Sequence, residues 1–171
     1  MSIADVWLVS RSGQKWPLTT LILVDATPAV RTALSEALDT FWNGNKPITN
    51  PVTPGNFIID FDVDSGLPTN FNTIRIRILP NIEFECGLTP NPNRQFLGCA
   101  TQGGNDIKIA AGLSPELLRD TLSHEFGHIL GLPDLYDTQT LQPLECFLND
   151  HMAVVGGVVE GHHSLLLRNE Y

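Results

Sequence analysis

The chain has 171 residues, of which 42% are hydrophobic and 17% charged, so its size and composition indicate one globular domain and exclude a disordered chain. Its net charge of −9 argues against nucleic acid and anionic membrane surfaces as partners, because both repel an acidic protein. No apolar run approaches the roughly 18 residues that a transmembrane helix requires, so we expect no membrane insertion.

The first half of the chain alternates strand and helix signals. Residues 19–25 (TTLILVD) predict a strand, because apolar and β-branched side chains dominate the segment. Residues 27–42 predict an amphipathic helix, since a threonine N-cap and a proline in the first turn precede apolar side chains at helical spacing. Residues 56–66 and 71–79 alternate apolar with polar or charged side chains, which predicts two half-buried strands.

The acids of the first alternating strand also resemble the start of a calcium-binding loop, in residues 60–66 (DFDVDSG). That loop needs glycine at its sixth position and glutamate at its twelfth, where this chain has Ser65 and Phe71. The alternation of a half-buried strand is enough to explain the three aspartates. The sequence therefore does not support a calcium site.

The second half of the chain begins with a short strand over residues 105–112, in which a lysine protects a sheet edge from further pairing. Residues 114–131 predict a long helix, because Ser114 is a good N-cap and Gly131 a good stop signal. The remainder is irregular until residues 163–171, which favour a short terminal helix. This order of elements predicts an α+β protein with helices packed on a mixed sheet.

The three cysteines leave two interpretations open. Cys86 and Cys99 flank a turn-rich segment that a disulfide could close. Free buried thiols in a reducing compartment are the alternative, and Cys146 makes the total odd. Cysteine usage therefore does not decide the compartment.

The long helix contains the pattern H-E-x-x-H. Residues four apart lie on one helix face, so His124 and His128 can present their imidazoles to a single metal ion. Neutral imidazole nitrogens are good zinc ligands. Glu125 projects nearby but not toward the same point, which suits a general base acting on a water molecule.

A zinc site of this kind needs a third protein ligand. Gly131 ends the helix and Pro133 prevents its resumption, so the chain turns sharply and can return Asp134 to the metal. A carboxylate is an acceptable third ligand that leaves a fourth position for water. The sequence offers four alternatives further along the chain: Glu145, His151, His162 and His163.

The segment HEFGHILGLPDLYD (residues 124–137) resembles the metzincin signature H-E-x-x-H-x-x-G-x-x-H/D. Because the last position of the motif is an aspartate, the segment resembles the snapalysin-type and immune-inhibitor-A-type branches of that family. Residues 96–112 are similar to the bulge segment and edge strand of that family. The resemblance implies a zincin fold in a single domain, residues 1–171. An upper subdomain (1–131) would carry a twisted mixed sheet, an N-terminal helix and the active-site helix. A short irregular lower subdomain (132–171) would end in a helix.

The resemblance also implies roles for individual residues. His124, His128 and Asp134 would bind one catalytic Zn²⁺, and Glu125 would act first as general base and then as general acid. Met152 is the candidate for the methionine turn below the metal, although the sequence around it is not a close match.

Two further roles concern the substrate. Peptides bind to this family as an additional antiparallel strand along the edge strand, which would be the segment containing Asn105, Ile107 and Ile109. Tyr136 is the candidate donor to the developing oxyanion, because Val154 stands where some members have a tyrosine. A tyrosine packed in the loop is the alternative interpretation of Tyr136.

These observations together predict a zinc-dependent endopeptidase that acts as a monomer on protein or peptide substrates. The alternative is a catalytically silent zinc-binding module with the same fold, although such a module has no use for Glu125. Members of the family are mostly secreted, whereas residues 1–10 lack the basic and apolar regions of a signal peptide, so localisation stays open.

Overall fold

The computed structural model describes residues 2–10, 15–24, 27–42, 44–48, 55–62, 72–89, 95–137 and 140–159. Side chains are described within residues 27–42, 75–89, 95–137 and 140–159. Within these ranges the chain is a mixed α+β protein, as the sequence predicted. Its strands are β1 Ser2–Ser10, β2 Lys15–Val24, β3 Gly44–Ile48, β4 Gly55–Asp62, β5 Asn72–Leu79, β6 Gly98–Ala100 and β7 Asp106–Ala110. Its helices are α1 Pro28–Ala37, α2 Ile82–Glu85 and α3 Pro115–Ile129, and a π-helical turn Leu38–Trp42 follows α1.

The strands form one mixed sheet in the order β3-β4-β1-β2-β5-β7-β6. Strand β2 is parallel to β5, and β5 is parallel to β7, whereas β6 runs antiparallel to β7. Parallel neighbours need a connection that crosses over the sheet, and α1 lies in the chain that joins β2 to β5. The strands predicted at residues 19–25, 56–66 and 71–79 are confirmed over residues 19–24, 56–62 and 72–79, which belong to β2, β4 and β5, and the remaining predicted positions lie outside the described residues.

The prediction that Asn105, Ile107 and Ile109 lie on an edge strand is wrong. Strand β7 pairs with β5 on one side and with β6 on the other, so it is an interior strand. Ile107 and Ile109 are fully buried, and the Asn105 carbonyl accepts a hydrogen bond from the backbone N–H of Arg75. Interior or edge position depends on pairing between distant segments, which the alternation within one strand does not contain.

The edge of the sheet on this side is the three-residue strand β6, Gly98–Ala100. Lys108, the lysine of the strand predicted at residues 105–112, therefore does not protect a sheet edge from further pairing. Its ammonium donates to the backbone carbonyl of Glu85 instead. A disulfide between Cys86 and Cys99 joins the end of α2 to β6, which decides the open question about these two cysteines. Cys146 is exposed and outside the disulfide.

Helix α1 begins as predicted. The Thr27 hydroxyl accepts a hydrogen bond from the backbone N–H of Val30, and proline occupies the first turn. The predicted helix reached residue 42, but the α-helical geometry ends at Ala37 and the last five residues form the π-helical turn. This turn ends at Trp42, whose side chain is fully buried.

Helix α3 also begins and ends as predicted. The Ser114 hydroxyl accepts from the backbone N–H of Leu117, and Gly131 adopts φ +92° just beyond the last turn. The N–H groups of Gly131 and Leu132 bond to the carbonyls of His128 and Gly127, which is a Schellman motif. The second half of α3 is buried without interruption from Thr121 to Ile129. This half contains the candidate site.

Beyond α3, the described residues up to 159 contain no helix or strand, only isolated bridges between Tyr136 and Pro143 and between Asp150 and Val158. One hydrophobic cluster joins α1, the sheet, α3 and this irregular segment. The terminal helix predicted at residues 163–171 lies outside the described residues. None of the helices in the described part of the chain has the length and apolar character to cross a membrane.

Candidate metal centre

Three side chains converge at the end of α3. His124 and His128 lie one turn apart on the helix, and the Schellman motif reverses the chain so that Asp134 faces both rings. The Oδ1 atom of Asp134 is 3.2 Å from Nε2 of His124 and 3.2 Å from Nε2 of His128. The ligand atoms of this group all lie within 4.8 Å of one another, so the group could hold a metal ion.

The other nitrogen of each ring defines which tautomer is present. Nδ1–H of His124 donates to the carbonyl of His151 at 2.9 Å, and Nδ1–H of His128 donates to the carbonyl of Leu132 at 2.8 Å. Because a carbonyl oxygen only accepts, each neutral ring carries its proton on Nδ1 and a lone pair on Nε2. Two imidazole lone pairs and a carboxylate oxygen therefore point at one another. Such an arrangement requires a cation between them, either a metal ion or added protons.

The donor set fits zinc, and so do the two distances to Asp134. Two ligand atoms bound at about 2.0–2.1 Å in tetrahedral geometry are about 3.3 Å apart, close to the observed 3.2 Å. Imidazole nitrogen and carboxylate oxygen are both common zinc ligands, and three protein ligands leave one position open. Backbone carbonyls that hold the distal nitrogen of each ring are the usual outer support of such ligands.

The charges of the group reflect its mutual contacts. Burial on its own would raise the pKa of Asp134, but hydrogen bonds from His124 and His128 outweigh burial and hold this pKa well below its usual range. Burial would lower the pKa of His128, and the contact with Asp134 more than compensates, so this pKa is raised. The lowered pKa keeps Asp134 ionised near neutral pH.

Glu125 lies beside this group but is not a member of it. It is only 5% exposed, and this burial raises the pKa of its carboxyl from 4.5 to about 7. The backbone N–H of Ala100 in β6 donates to the carboxylate, and a Cβ at Gly98 would lie only 2.9 Å from Oε1. The second oxygen, Oε2, is buried and has no hydrogen-bond partner among the described residues. A buried oxygen of this kind needs a proton donor, and a water molecule beside the metal would be one.

Met152 packs against Gly127 of α3, the residue that immediately precedes His128. Its side chain is fully buried, and a Cβ at Gly127 would overlap its Sδ and Cε atoms. Its N–H donates to Oδ1 of Asp150 at 2.7 Å, and its carbonyl accepts from Leu135 N–H at 2.9 Å. The structure therefore places Met152 in a tight turn packed on α3, and its role as a methionine turn stays a prediction.

The alternative third ligands are outside the group. Glu145 is exposed in a turn, and His151 contributes its backbone carbonyl to His124 rather than its ring to the metal. His162 and His163 lie outside the described residues. The ring of Tyr136 stacks on His124 with centroids 6.2 Å apart, so Tyr136 is beside the site. Its predicted action as an oxyanion donor is untested.

Sequence reasoning missed the surroundings of these residues. Gly98 and Ala100 hold Glu125, but a strand of three small residues carries no alternation by which to find it. Trp42 donates its indole N–H to Oγ of Ser123 at 2.9 Å, across 81 positions of sequence. The sequence shows Trp42 at the end of an amphipathic helix and Ser123 beside a candidate ligand. No local pattern indicates that these two residues are in contact.

Comparison with known proteins gave no match: no family model, no curated protein and no solved structure matches this chain. What the site can do is therefore argued from its chemistry. The site combines three convergent ligand atoms with the buried carboxyl of Glu125. The pKa of this carboxyl is raised to about 7, and its Oε2 atom has no hydrogen-bond partner among the described residues.

Proposed function

We propose that the protein is a zinc-dependent endopeptidase in which Glu125 acts as general base and then as general acid. The observation that carries the proposal is the unpartnered, buried Oε2 of Glu125 beside the His124, His128 and Asp134 group. A structural metal site does not need such a carboxyl, whereas hydrolysis does.

The chain's own groups divide the work. His124, His128 and Asp134 would hold zinc, which when bound supplies Lewis acidity toward a peptide carbonyl and a water molecule. The Ala100 N–H fixes one oxygen of Glu125, and Oε2 is left to take a proton from water and deliver it to the leaving amine. In the metal-free protein burial raises the pKa of this carboxyl to about 7, near the pH at which a general base and acid would operate.

The resemblance of residues 124–137 to the metzincin signature supports the same proposal. Helix α3 under a mixed sheet, followed by an irregular segment with Met152 packed on Gly127, is compatible with that zincin fold. The upper subdomain would extend through Gly131 and the lower one would begin at Leu132. Substrates would be proteins or peptides, and the active species would be a monomer.

The position of the substrate has to be revised. A peptide that adds a strand to the sheet can pair only at an edge, and β7 has neighbours on both sides. Strand β6, Gly98–Ala100, occupies the edge beside Glu125. We therefore assign the substrate strand to β6 in place of Asn105, Ile107 and Ile109.

The experiment pairs elemental analysis with digestion of casein. Wild type should bind one zinc ion per chain and digest casein. Glu125→Gln should retain the zinc ion and lose hydrolysis by about 100-fold or more, since proton transfer typically contributes 10²–10⁴-fold. Glu116→Gln is the matched control, because it makes the same change at an exposed position in the first turn of the same helix. It should match wild type.

Two results would overturn the proposal. Unchanged digestion by Glu125→Gln would remove Glu125 from the reaction. Zinc binding without hydrolysis by wild type would support the catalytically silent zinc-binding module instead.

A further inference from the structure

His151 is buried beside the metal centre without belonging to it. Its side chain is completely inaccessible to solvent, and its ring centroid is 6.2 Å from that of His124. Its contact with the centre is made by the backbone, because its carbonyl accepts the Nδ1–H of His124 at 2.9 Å. The position of this carbonyl therefore bears directly on the tautomer and the orientation of a ligand.

The ring of His151 is held on three sides. Phe41 stacks on it with centroids 4.7 Å apart and an interplanar angle of 24°. Trp42 meets it edge-on at 5.9 Å and 87°. Nδ1–H of His151 donates to the carbonyl of Gly157 at 3.1 Å, and its backbone N–H donates to the carbonyl of Val158 at 3.0 Å. With both its ring and its backbone held, the residue has little freedom to move its own carbonyl.

Trp42 connects this residue to the ligand helix. Its indole N–H donates to the hydroxyl of Ser123 at 2.9 Å and to the Ser123 carbonyl at 3.2 Å. Ser123 immediately precedes His124 in α3. The same tryptophan thus contacts the helix that carries His124 and the turn that accepts its proton. Phe41 and Trp42 are adjacent in the π-helical turn, and turns of this type are often found at functional sites.

We propose that His151, clamped by Phe41 and Trp42, is a positioning residue that holds His124 in the tautomer and orientation required to bind zinc through Nε2. The proposal rests on the zinc centre of the proposed function, but it does not depend on peptide hydrolysis. If the carbonyl of His151 moves away, the proton of His124 can shift to Nε2. Nε2 then carries no lone pair for a metal.

The identity of this residue follows from two demands. An aromatic ring is needed to stack on Phe41 and meet Trp42, and a ring N–H is needed for the Gly157 carbonyl. Histidine satisfies both at a size that fits the pocket. Phenylalanine would keep the stacking and lose the hydrogen bond, whereas alanine would lose both. His151→Ala should therefore lower the affinity for zinc more than His151→Phe does.

The test measures zinc affinity by competition with a chromophoric chelator. His151→Ala should weaken zinc binding by about 10–100-fold, the usual cost of removing outer support from a metal ligand. His151→Phe should weaken it less. Trp42→Phe keeps an aromatic ring but loses the hydrogen bond to Ser123, so it should also weaken zinc binding.

Val30→Ala is the matched control for stability. It removes buried apolar volume from the first turn of α1, about three helical turns before Phe41 and Trp42, so it should lower the melting temperature and leave zinc affinity at the wild-type value. The visible d–d spectrum of cobalt-substituted protein gives a second readout. It should change in His151→Ala and stay constant in Val30→Ala.

Every outcome decides the proposal. Weaker zinc binding in His151→Ala than in the folded Val30→Ala control supports it, and equal affinities with unchanged cobalt spectra overturn it. If His151→Ala does not fold, the same comparison between Trp42→Phe and Val30→Ala decides. Wild type that binds no zinc overturns this inference and the proposed function together. Wild type that binds zinc without digesting casein overturns the peptidase alone, and the affinities still decide the role of His151.

Discussion

Asp134 would give the proposed metal centre its negative charge, since His124 and His128 would bind as neutral imidazoles. Both histidine contacts converge on one oxygen, Oδ1, at 3.2 Å. The carboxylate would therefore serve both as a ligand and as the group that offsets the charge of the ion.

Asp134→Asn keeps the shape of this side chain and removes its charge. We expect zinc affinity to fall by at least about tenfold, which corresponds to roughly 1.4 kcal/mol. Asp137→Asn is the control, because Asp137 lies in the same loop and binds Thr140 rather than the centre. Chelator competition on both variants is the measurement. Equal affinities would show that Asp134 is not a ligand.

Gly127 shows how closely Met152 packs beneath the ligands. A Cβ at this position would overlap Met152 Sδ and lie 3.2 Å from the Trp42 ring. Alanine is favoured over glycine in a helix by about 1 kcal/mol, but overpacking of a core costs about 1–3 kcal/mol. We expect Gly127→Ala to destabilise the metal-free protein by up to about 2 kcal/mol, measured by urea unfolding. A more stable variant would contradict this packing.

Local rules were sufficient to predict that His124, His128 and Asp134 converge. Helical spacing aligns the histidines, and the glycine stop returns the aspartate, so nothing distant is required. The support of these residues is not local. The contact of Trp42 with Ser123 spans 81 positions, and the carbonyl of His151 reaches His124 across 27.

Strand β6 links the sheet to Glu125, the proposed general base. This short strand borders Glu125 through Ala100 and Gly98, and its central residue is the disulfide-bonded Cys99. Helices α1 and α3 could be predicted with their caps, because capping residues act within one turn. Strand β6 could not be predicted, and β7 was placed at the wrong position in the sheet. Neither position is encoded within the strand itself.

Removal of the disulfide should destabilise the whole domain. Cys86 and Cys99 are separated by 13 positions, and closing a loop of that size restricts the unfolded chain by about 3 kcal/mol. We expect the double substitution Cys86→Ser with Cys99→Ser to lose about 2–4 kcal/mol in equilibrium urea unfolding. Cys146→Ser should be neutral because Cys146 is exposed and outside the disulfide. A double variant as stable as wild type would show that the disulfide contributes nothing.

Zinc bound at the proposed centre would be coupled to the folding of the domain. The ligands come from α3 and from the irregular segment after it, and both belong to one hydrophobic cluster. A metal that binds only the folded chain stabilises it in proportion to its affinity and concentration. Protons compete with the metal for the same groups, so the effect depends on pH.

The metal-free protein should lose stability as the pH rises from 4.5 to about 7. In this range the folded chain retains a proton on Glu125, whose pKa burial raises from 4.5 to about 7, and the unfolded chain does not. The raised pKa of His128 acts in the same direction, since its contribution is complete below 6.5 and is lost at higher pH. The lowered pKa of Asp134 contributes stability that is present above its usual pKa of 3.8 and is lost only in more acidic solution, outside this range.

Zinc reverses this trend, because its ligands must be deprotonated. The rise in melting temperature caused by zinc should therefore be larger at about pH 7.5 than at about pH 5, on either side of the usual histidine pKa. Differential scanning calorimetry with zinc and with a chelator measures it. An equal or larger rise at the lower pH would contradict the assignment of histidine ligands.

An anomalous difference map, collected at the zinc edge from crystals grown with zinc, tests the proposed metal centre directly. We expect one strong peak within about 2.0–2.2 Å of His124 Nε2, His128 Nε2 and Asp134 Oδ1. We also expect a water molecule between this peak and Glu125 Oε2. A map without this peak, or with the metal bound by other residues, would contradict the claim that this group is a zinc centre.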